Sequence, residues 1–331
     1  MTTNRSSRST FPKPRGASSD MARRPPDFYK PKTPDNILPI LGAIADSGAI
    51  LIGGQAINIW SIQLELAGQE PWKSSRPYSS TDADGLGDVV ALQKLAESLR
   101  HKSYGIEVLP AESSEHTHKN TGVILATSAK LNIGINILHK PRGLIPQEII
   151  RTAVELNFRG KVIKLLHPLL CVESKATCLI ELQQDDPAAP RQDEKHLKLA
   201  VANLRVFLSL LGDKEPSRAC ALADRIRGLA VHQLGVTILK KHQLDVLDAV
   251  PWKAWGKSSA PVLKKFAESY DEVVGERATS IKQEQEAKAW LRTLKNETSL
   301  DDIQQGMKGA SKIVKKSSTG RGRPLGGQRP K

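Results

Sequence analysis

The sequence predicts an α+β protein in which a small mixed-sheet domain (residues 33–166) is followed by an α-helical domain (residues 167–307). Short apolar runs of strand length, bounded by glycine and polar residues, fill the first domain. Beyond residue 168, apolar residues recur every three to four positions over long segments, as in amphipathic helices. Residues 1–32 and 308–331 contain few aliphatic side chains and many basic and small ones, which predicts disordered basic tails.

The net charge of +14 lies in the two tails. Residues 1–32 hold eight Lys and Arg side chains against two Asp, and residues 308–331 hold eight against none. Residues 33–307 carry 33 basic and 33 acidic side chains. Nucleic-acid affinity is therefore expected from the tails or from a local site. The aromatic content of 4% argues against a protein that binds single strands by base stacking.

Cysteine usage and hydropathy predict a cytoplasmic protein. Cys171, Cys178 and Cys220 lie in apolar, helix-like stretches without paired or metal-site spacing, which is typical of core thiols in a reducing compartment. No stretch approaches the roughly 18 apolar residues of a membrane span, and the N-terminal region has no apolar signal segment. We therefore expect no membrane contact.

The first domain is predicted to begin with a helix, a strand and a second helix. Thr33-Pro34 supplies an N-cap and a proline at the first helical position, and the following apolar spacing predicts a helix that ends near Gly48. The apolar run 49–52 predicts a buried strand. Gly53-Gly54 then leads into a helix over residues 55–66, so the unit is strand, Gly-Gly, helix.

A polar loop follows and leads to Ser80-Thr81-Asp82-Ala83-Asp84, after which Asp88 is predicted to cap a helix. Apolar runs predict further strands at 104–109, 122–127, 130–138 and 162–166. In the second domain, the 3.6-residue periodicity predicts helices at 169–182, 197–211, 217–231, 236–247 and 278–294.

Two patterns carry the strongest chemical signal. Gly53-Gly54 at a strand-to-helix junction lets a ligand approach the backbone, where helix N–H groups and the positive dipole end attract phosphate. On an extended strand Asp82 and Asp84 face the same side, and two carboxylates on one face suit a Mg²⁺ ion that also holds substrate phosphates. Taken alone, Gly-Gly before a helix is often just a tight turn, and Asp-x-Asp is more often part of a surface turn.

The patterns together resemble a known superfamily. Their order along the chain resembles that of nucleotidyltransferases of the DNA polymerase β-like superfamily. Within it, ILIGGQAINIW followed by SSTDADGLGD resembles the AbiEii-type abortive-infection toxin group, whose pattern is Gly-Gly-x-Ala before a helix and then Ser-x-Asp-x-Asp. The resemblance covers about residues 45–205 and includes LHPLLCVESKATCL, which resembles the first helix after that group's sheet.

The resemblance implies a role for each matching residue. It implies a nucleoside triphosphate as substrate and Mg²⁺ or Mn²⁺ as cofactor. Gly53 and Gly54 would form the phosphate turn, and Asp82 and Asp84 would be the metal ligands. Ser80 and Lys175 would be further nucleotide contacts.

The third carboxylate of the family corresponds to Asn136 in this chain, which departs from the family pattern. Asn132, Gly134 and Asn136 share one face of the predicted strand, so Asn136 is expected to point toward the site with the catalytic carboxylates. An amide oxygen can ligate Mg²⁺ but cannot accept a proton from an attacking hydroxyl. Glu107, on a neighbouring predicted strand, is a candidate substitute.

Basic side chains near the predicted site are candidates for neutralising phosphate. Lys73 and Arg76 lie in the loop before the carboxylates, and Arg191 and Lys195 precede a long predicted helix. Each pair also fits an ordinary solvated loop or helix face, so both interpretations stay open.

The C-terminal tail carries a separate motif. Gly320-Arg321-Gly322-Arg323-Pro324 resembles the AT-hook, whose Arg-Gly-Arg core lies in the narrow minor groove of A·T-rich DNA. The residues expected to contact DNA are Arg321, Gly322, Arg323 and Pro324. A generic basic tail that binds RNA or acidic partners loosely is the alternative.

Two functional hypotheses follow. The first is a Mg²⁺-dependent nucleotidyltransferase that transfers a nucleoside monophosphate to a hydroxyl of RNA, such as tRNA, or of a protein. It would be the toxin-like member of a toxin–antitoxin or phage-defence module, with a cognate antitoxin as a partner. The second is a catalytically inactive protein of the same fold that binds nucleic acid through its basic tails.

Overall fold

The computed structural model describes residues 26–66, 76–111, 120–181 and 192–297. The chain forms two compact units, residues 1–277 and residues 278–331. The first unit combines a seven-stranded mixed sheet with helices, and its C-terminal part is helical, as the sequence predicts. The second unit is helical as far as it is described, to Glu297. The predicted domain boundary at residue 166 stays a prediction.

The sheet and its flanking helices occupy the described chain up to Leu165. The elements in order are α1 (Leu38–Ser47), β1 (Ile50–Ile52), α2 (Gly53–Leu66), β2 (Ala83–Leu86), α3 (Val89–His101), β3 (Gly105–Pro110), β4 (Asn120–Thr127), β5 (Asn132–Leu138), α4 (Pro146–Thr152), β6 (Val154–Phe158) and β7 (Lys161–Leu165).

The described residues after the sheet are predominantly helical. The helices in order are α5 (Pro168–Glu181), α6 (Asp193–Lys214), α7 (Pro216–Val231), α8 (Gln233–His242), α9 (Trp252–Trp255), α10 (Pro261–Glu268) and α11 (Tyr270–Glu297).

The strand order is β3-β4-β5-β2-β1-β7-β6. At the centre, β2 pairs antiparallel with β1 and parallel with β5. Ile52 lies opposite Asp84, and Asp84 lies opposite Asn136. Because paired residues on neighbouring strands point to the same face, this register places the side chains of Asp84 and Asn136 side by side.

One aliphatic core joins the sheet to the helices that follow it. Helix α1 packs against α3 and β7, and α2 packs against α5 and α6. The buried residues are mainly Leu, Ile, Val and Ala. The indole nitrogen of Trp60 on α2 donates a 2.9 Å hydrogen bond to the carbonyl of Leu166, which fixes α2 to the start of the helical part.

The helix predicted to begin at Thr33-Pro34 begins instead as a 3₁₀ turn (Asp35–Ile37), and α1 follows it without a side-chain cap of its own. Thr33 Oγ1 donates to Asn36 Oδ1 at 2.8 Å, and Asn36 N donates back to Thr33 Oγ1 at 3.3 Å. Asp88 accepts a 2.9 Å bond from the amide of Ala91, which caps α3 as its sequence predicts.

Residues 26–32, which the sequence places in the basic tail, are part of the folded unit. Pro26–Tyr29 forms a 3₁₀ turn, and Phe28 and Lys32 are buried. The backbone of Lys32 bridges that of Ser80 through N–H···O bonds of 2.8 and 3.0 Å. The burial of Phe28 and this bridge stabilise a segment whose composition alone predicts disorder.

Some short elements are absent from the prediction. These are α4, β6, α9 and α10. The helix predicted over 236–247 ends at His242, because Gln243 takes a left-handed conformation (φ 53°) and Asp245 then caps a separate 3₁₀ turn. In the part of the chain that the structure describes, no helix is long and apolar enough to cross a membrane. The three cysteines are free thiols.

Candidate active site

The structure brings Asp82, Asp84 and Asn136 together. Asp82 directly precedes β2, Asp84 lies in it, and Asn136 lies on the parallel neighbour β5. The amide nitrogen of Asn136 donates to Asp82 Oδ2 at 3.2 Å and to Asp84 Oδ1 at 2.7 Å. Asn136 is 6% exposed, so it offsets the repulsion of two adjacent carboxylates from within the protein.

Gly53 allows α2 to begin directly against these carboxylates. Its φ of +66° belongs to the left-handed region that glycine tolerates best, and a Cβ there would collide with Oδ2 of Asp84 and lie 3.0 Å from its Cγ. The positive end of the α2 dipole therefore lies next to Asp84.

The space beside Gly54 that a side chain would fill is taken by the protein itself. A Cβ on Gly54 would lie 2.5 Å from His196 Cε1 and 2.6 Å from Ser80 Oγ. Ser80 Oγ in turn donates to Asp82 Oδ1 at 3.4 Å. The two glycines thus permit close packing of Asp84, Ser80 and His196 around the start of α2.

Lys175 on α5 is the cation at this site. Its ammonium contacts Asp193 Oδ1 at 2.9 Å, and the side chain is 12% exposed. Burial lowers the pKa of Lys175, but the negative charges of Asp193 and Asp84 and the hydrogen bond to Asp193 raise it by more, so the net shift is upward. Lys175 therefore carries a positive charge within the electrostatic reach of Asp84.

Asp193, in the first turn of α6, is a site residue that the sequence pattern does not reveal. The pattern is that of a solvated helix face between two candidate cations. An acidic residue at a helix N-terminus can be recognised in a sequence. It does not identify its partner, because Lys175 lies 18 residues earlier on another helix.

Two predicted cations bind other groups. Arg76 forms an ion pair with Glu65, which also accepts a 3.2 Å bond from the hydroxyl of Tyr78. Lys195 donates to the carbonyl of Pro77 at 3.1 Å. Neither contact involves Asp82 or Asp84.

Glu107 does not reach the carboxylates. It is exposed on β3, opposite Leu125 of β4, which lies opposite Gly134 of β5. This register places Glu107 on the same face as Asn136, but β3 is three strands from β2, or about 14 Å. That separation corrects the suggestion that Glu107 replaces the third carboxylate in a shared metal site.

The remaining predicted site residues lie outside the described residues. They are Lys73, Arg191 and the tail residues Arg321, Gly322, Arg323 and Pro324.

The donor set fits a hard divalent cation if the amide of Asn136 turns. Within the described ranges, no group of three or more His, Cys, Asp or Glu side chains is placed to hold a metal ion. Asp82 and Asp84 supply carboxylate oxygens, and rotation of the Asn136 amide by half a turn would aim Oδ1 at the same point. Carboxylate and amide oxygens are ligands that Mg²⁺ accepts.

Two histidines, His196 and His167, are buried, and His196 lies against Gly54 and the carbonyl of Ser79. Burial, with a contribution from the Lys175 ammonium, lowers the pKa of His196 to about 3. Burial, with Arg218 and Arg225, lowers the pKa of His167 to about 4, and His167 Nδ1 accepts a 3.2 Å bond from the amide of Leu169. Both rings are therefore neutral near pH 7.

A cavity of 990 Å³ opens beside the N-terminal segment, lined among others by Lys30, Tyr104, Lys130 and Asn132. Asp82, Asp84 and Asn136 do not line it. This cavity is therefore separate from the carboxylates.

No protein-family model and no curated protein sequence matches the chain. Among solved structures, it is similar to the Megavirus polyadenylate synthase, with 14% identity and a TM-score of 0.34 over 64% of this chain and 46% of that chain. It is also similar to JHP933 from Helicobacter pylori, with 12% identity and a TM-score of 0.28 over 78% of this chain and 95% of that one. The chain spans about half the length of the polyadenylate synthase.

Proposed function

We propose that this protein is a nucleotidyltransferase that moves a nucleoside monophosphate from a nucleoside triphosphate to a hydroxyl of RNA or protein. The observation that supports it is the meeting of Asp82, Asp84 and Asn136 at the start of α2. Lys175 adds a buried positive charge beside Asp84. Paired oxygen ligands for a metal ion, a helix N-terminus and a cation each favour the binding of phosphate or stabilise its charge.

In this proposal Asp82 and Asp84 would hold Mg²⁺ or Mn²⁺, and the amide oxygen of Asn136 would be a further ligand. When bound, the ion neutralises charge on the phosphates and orients them. Lys175 contributes further positive charge, and Asp193 positions Lys175 through their 2.9 Å contact.

The reaction forms a bond between the acceptor oxygen and the α-phosphorus and breaks the bond to the bridging oxygen, so pyrophosphate leaves. The acceptor hydroxyl must lose its proton. The neutral amide of Asn136 cannot accept it, so the proton passes to an aspartate carboxylate or to solvent. Catalysis then comes mainly from positioning and charge stabilisation.

The decisive experiment is label transfer. Purified protein is incubated with each α-labelled nucleoside triphosphate, Mg²⁺ or Mn²⁺, and either total RNA or cell lysate. We expect label in one acceptor fraction, lost in Asp84→Asn and retained in Asp46→Asn, whose carboxylate is 68% exposed on α1. Absence of label with every nucleotide, or equal label with Asp84→Asn, contradicts the proposal.

We further propose a toxin-like role in a toxin–antitoxin or phage-defence module, which rests on the sequence resemblance. Expression of the wild-type chain is then expected to slow growth, and Asp82→Ala is expected to restore it. Relief of the growth defect by a neighbouring gene product would identify the antitoxin. Equal growth with both chains contradicts this role.

A second candidate function is supported by Asn136 itself. Its amide nitrogen already satisfies both carboxylates, as expected for a nucleotidyltransferase-like protein that has lost catalysis and binds nucleic acid through its basic tails. In that case label transfer is absent, while binding to DNA or RNA depends on the tails and falls steeply with salt.

A further inference from the structure

The segment that leads into Asp82 is held by its backbone carbonyls. The carbonyl of Ser79 lies 3.2 Å from His196 Nε2. The carbonyl of Ser80 accepts from the Lys32 amide at 2.8 Å, and that of Thr81 lies 3.5 Å from the Lys32 ammonium. Three successive carbonyls are therefore bound, and the one at Ser79 is bound from the helical part of the fold.

The ring of His196 is set in one orientation. A carbonyl oxygen can only accept, so Nε2 carries the proton and donates it to Ser79. His196 is 1% exposed, and its ring packs where Gly54 lacks a side chain. Nδ1 has no hydrogen-bond partner among the described residues, so the contact with Ser79 is the polar interaction that the ring supplies.

A single turn of helix α6 therefore contacts both Lys175 and the segment that leads into Asp82. Asp193 binds Lys175, and three residues later His196 binds the backbone next to Ser80. Residues three apart on a helix lie on one face, so both contacts depend on the placement of the same turn.

We propose that His196 is a positioning residue that ties α6 to the carbonyl of Ser79 and thereby sets Asp82 relative to Asp84. The effect of His196 on the reaction rate rests on the proposed nucleotidyl transfer, whereas its effect on the position of the segment before Asp82 does not. Loss of the donor lets the segment before Asp82 shift, and misplacement of a catalytic group by about 1 Å costs on the order of 100-fold in rate.

The test compares His196→Gln, which supplies a side-chain N–H at similar reach, with His196→Leu, which fills space without a donor. Asn203→Leu is the matched control, because Asn203 is buried on the same face of α6 and binds Ile57 O at 3.0 Å, away from Ser79. Where His196→Leu fails to fold, His196→Asn, whose amide is too short to reach Ser79, replaces it.

Two readouts are measured. For label transfer, we expect His196→Leu to lose about 100-fold in kcat with a small change in KM, and His196→Gln to retain most activity. For amide hydrogen exchange over residues 77–84, we expect about fivefold faster exchange in His196→Leu, near-wild-type exchange in His196→Gln, and no local change in Asn203→Leu.

The two readouts fail separately. If the wild-type chain transfers no label, the proposed function fails and hydrogen exchange alone decides the role of His196. The positioning role is overturned if exchange over residues 77–84 is unchanged in His196→Leu, or if His196→Gln behaves like His196→Leu.

Discussion

At the residue scale, the amide of Asn136 offsets the repulsion between the carboxylates of Asp82 and Asp84. Its amide hydrogens face Asp82 and Asp84, which brings partial positive charge between two like charges. A cation at the same point would do this more strongly, and it would require the amide to present its oxygen instead. The protein side of the site therefore depends on a single rotatable amide.

Replacing Asn136 with Asp tests this balance. Asn136→Asp removes two hydrogen bonds to charged groups and adds a third carboxylate, so we expect the free energy of unfolding at pH 7 to fall by about 3 kcal/mol. Millimolar Mg²⁺ should restore much of it, because an ion bound only by the folded state stabilises that state. Chemical denaturation with and without Mg²⁺ measures both effects.

The control is Asn132→Asp, on the same strand face but four residues earlier. Asn132→Asp should lower the free energy of unfolding less than Asn136→Asp does, and Mg²⁺ should raise it less. If Asn136→Asp is as stable as the wild type without Mg²⁺ and does not respond to the ion, the carboxylates do not form a cation site.

A second residue-scale prediction separates backbone strain from contact with Asp84. Gly53 (φ 66°) and Gly160 (φ 79°) share a left-handed conformation, but a Cβ on Gly160 meets nothing within 4 Å. Gly160→Ala should therefore cost only the strain of that conformation, about 1–2 kcal/mol. Gly53→Ala should cost more and abolish label transfer, because Asp84 must move.

Thermal or chemical unfolding of the two variants and the transfer assay provide the measurements. Equal destabilisation of the two variants with full activity in Gly53→Ala would show that Asp84 has room to move without consequence.

Side-chain placement follows from the sequence only where it is local or matches a family pattern. The alternation of a strand predicts that Asp82 and Asp84 share a face, and the resemblance points to Asn136. Asp193 and His196 are not predictable in this way, because their contacts with Lys175 and Ser79 join positions 18 and 117 residues apart. No periodicity encodes such a pairing.

At the element scale, two buried and neutral histidines lie near helix starts. His167 Nδ1 accepts from the amide of Leu169 at the start of α5, and His196 lies near the start of α6. Both folded-state pKa values, about 4 and about 3, lie below the ordinary 6.5. The unfolded chain therefore binds more protons between these values, and stability must fall as pH falls below about 6.5.

We expect each histidine to contribute a loss of about 2 kcal/mol in the free energy of unfolding between pH 7 and pH 5, at about 1.36 kcal/mol per pKa unit. Chemical denaturation at the two pH values measures it. His167→Asn and His196→Gln should each flatten the dependence, whereas the exposed His101→Gln should retain it. A wild-type slope in both buried variants would show that these rings do not carry the acid sensitivity.

Elements are predictable where they are long or continuously apolar. The runs that form β1, β4 and β5 and the periodic segments that form α5 to α8 are of this kind. Helices α9 and α10, with four and eight residues, are shorter than the window of about 11 residues in which helical periodicity can be recognised. The position of β2 between β1 and β5 also cannot be predicted from the sequence pattern, because periodicity indicates which face of a strand is buried and not which strand is its neighbour.

At the scale of the whole molecule, charge and fold are separated along the chain. Residues 33–307, which supply most of the described structure, are balanced in charge, and the excess lies at 1–32 and 308–331. The folded part begins before the N-terminal excess ends, since Lys32 is buried against the segment that leads to Asp82. The C-terminal excess has no acidic residue and is the stronger candidate for electrostatic binding.

Deleting residues 308–331 tests this at the whole-molecule scale. The deletion removes eight positive charges, so we expect weaker binding to duplex DNA. The slope of log affinity against log salt should flatten by about 0.9 for each DNA phosphate that the shortened chain no longer neutralises. Binding titrations at several salt concentrations measure the slope, and thermal unfolding should be unchanged.

Two double substitutions separate a groove-reading motif from a generic basic tail. Arg321→Ala with Arg323→Ala and Lys315→Ala with Lys316→Ala remove equal charge, but only the first pair removes the Arg-Gly-Arg core. If the core enters a narrow minor groove, the arginine pair should lose more affinity for A·T-rich than for G·C-rich duplex, whereas the lysine pair should weaken both equally. Equal losses of affinity for both variants and on both duplexes would show that the tail binds by electrostatic attraction alone. Unchanged binding after the full deletion would show that the nucleic-acid contact lies elsewhere on the chain.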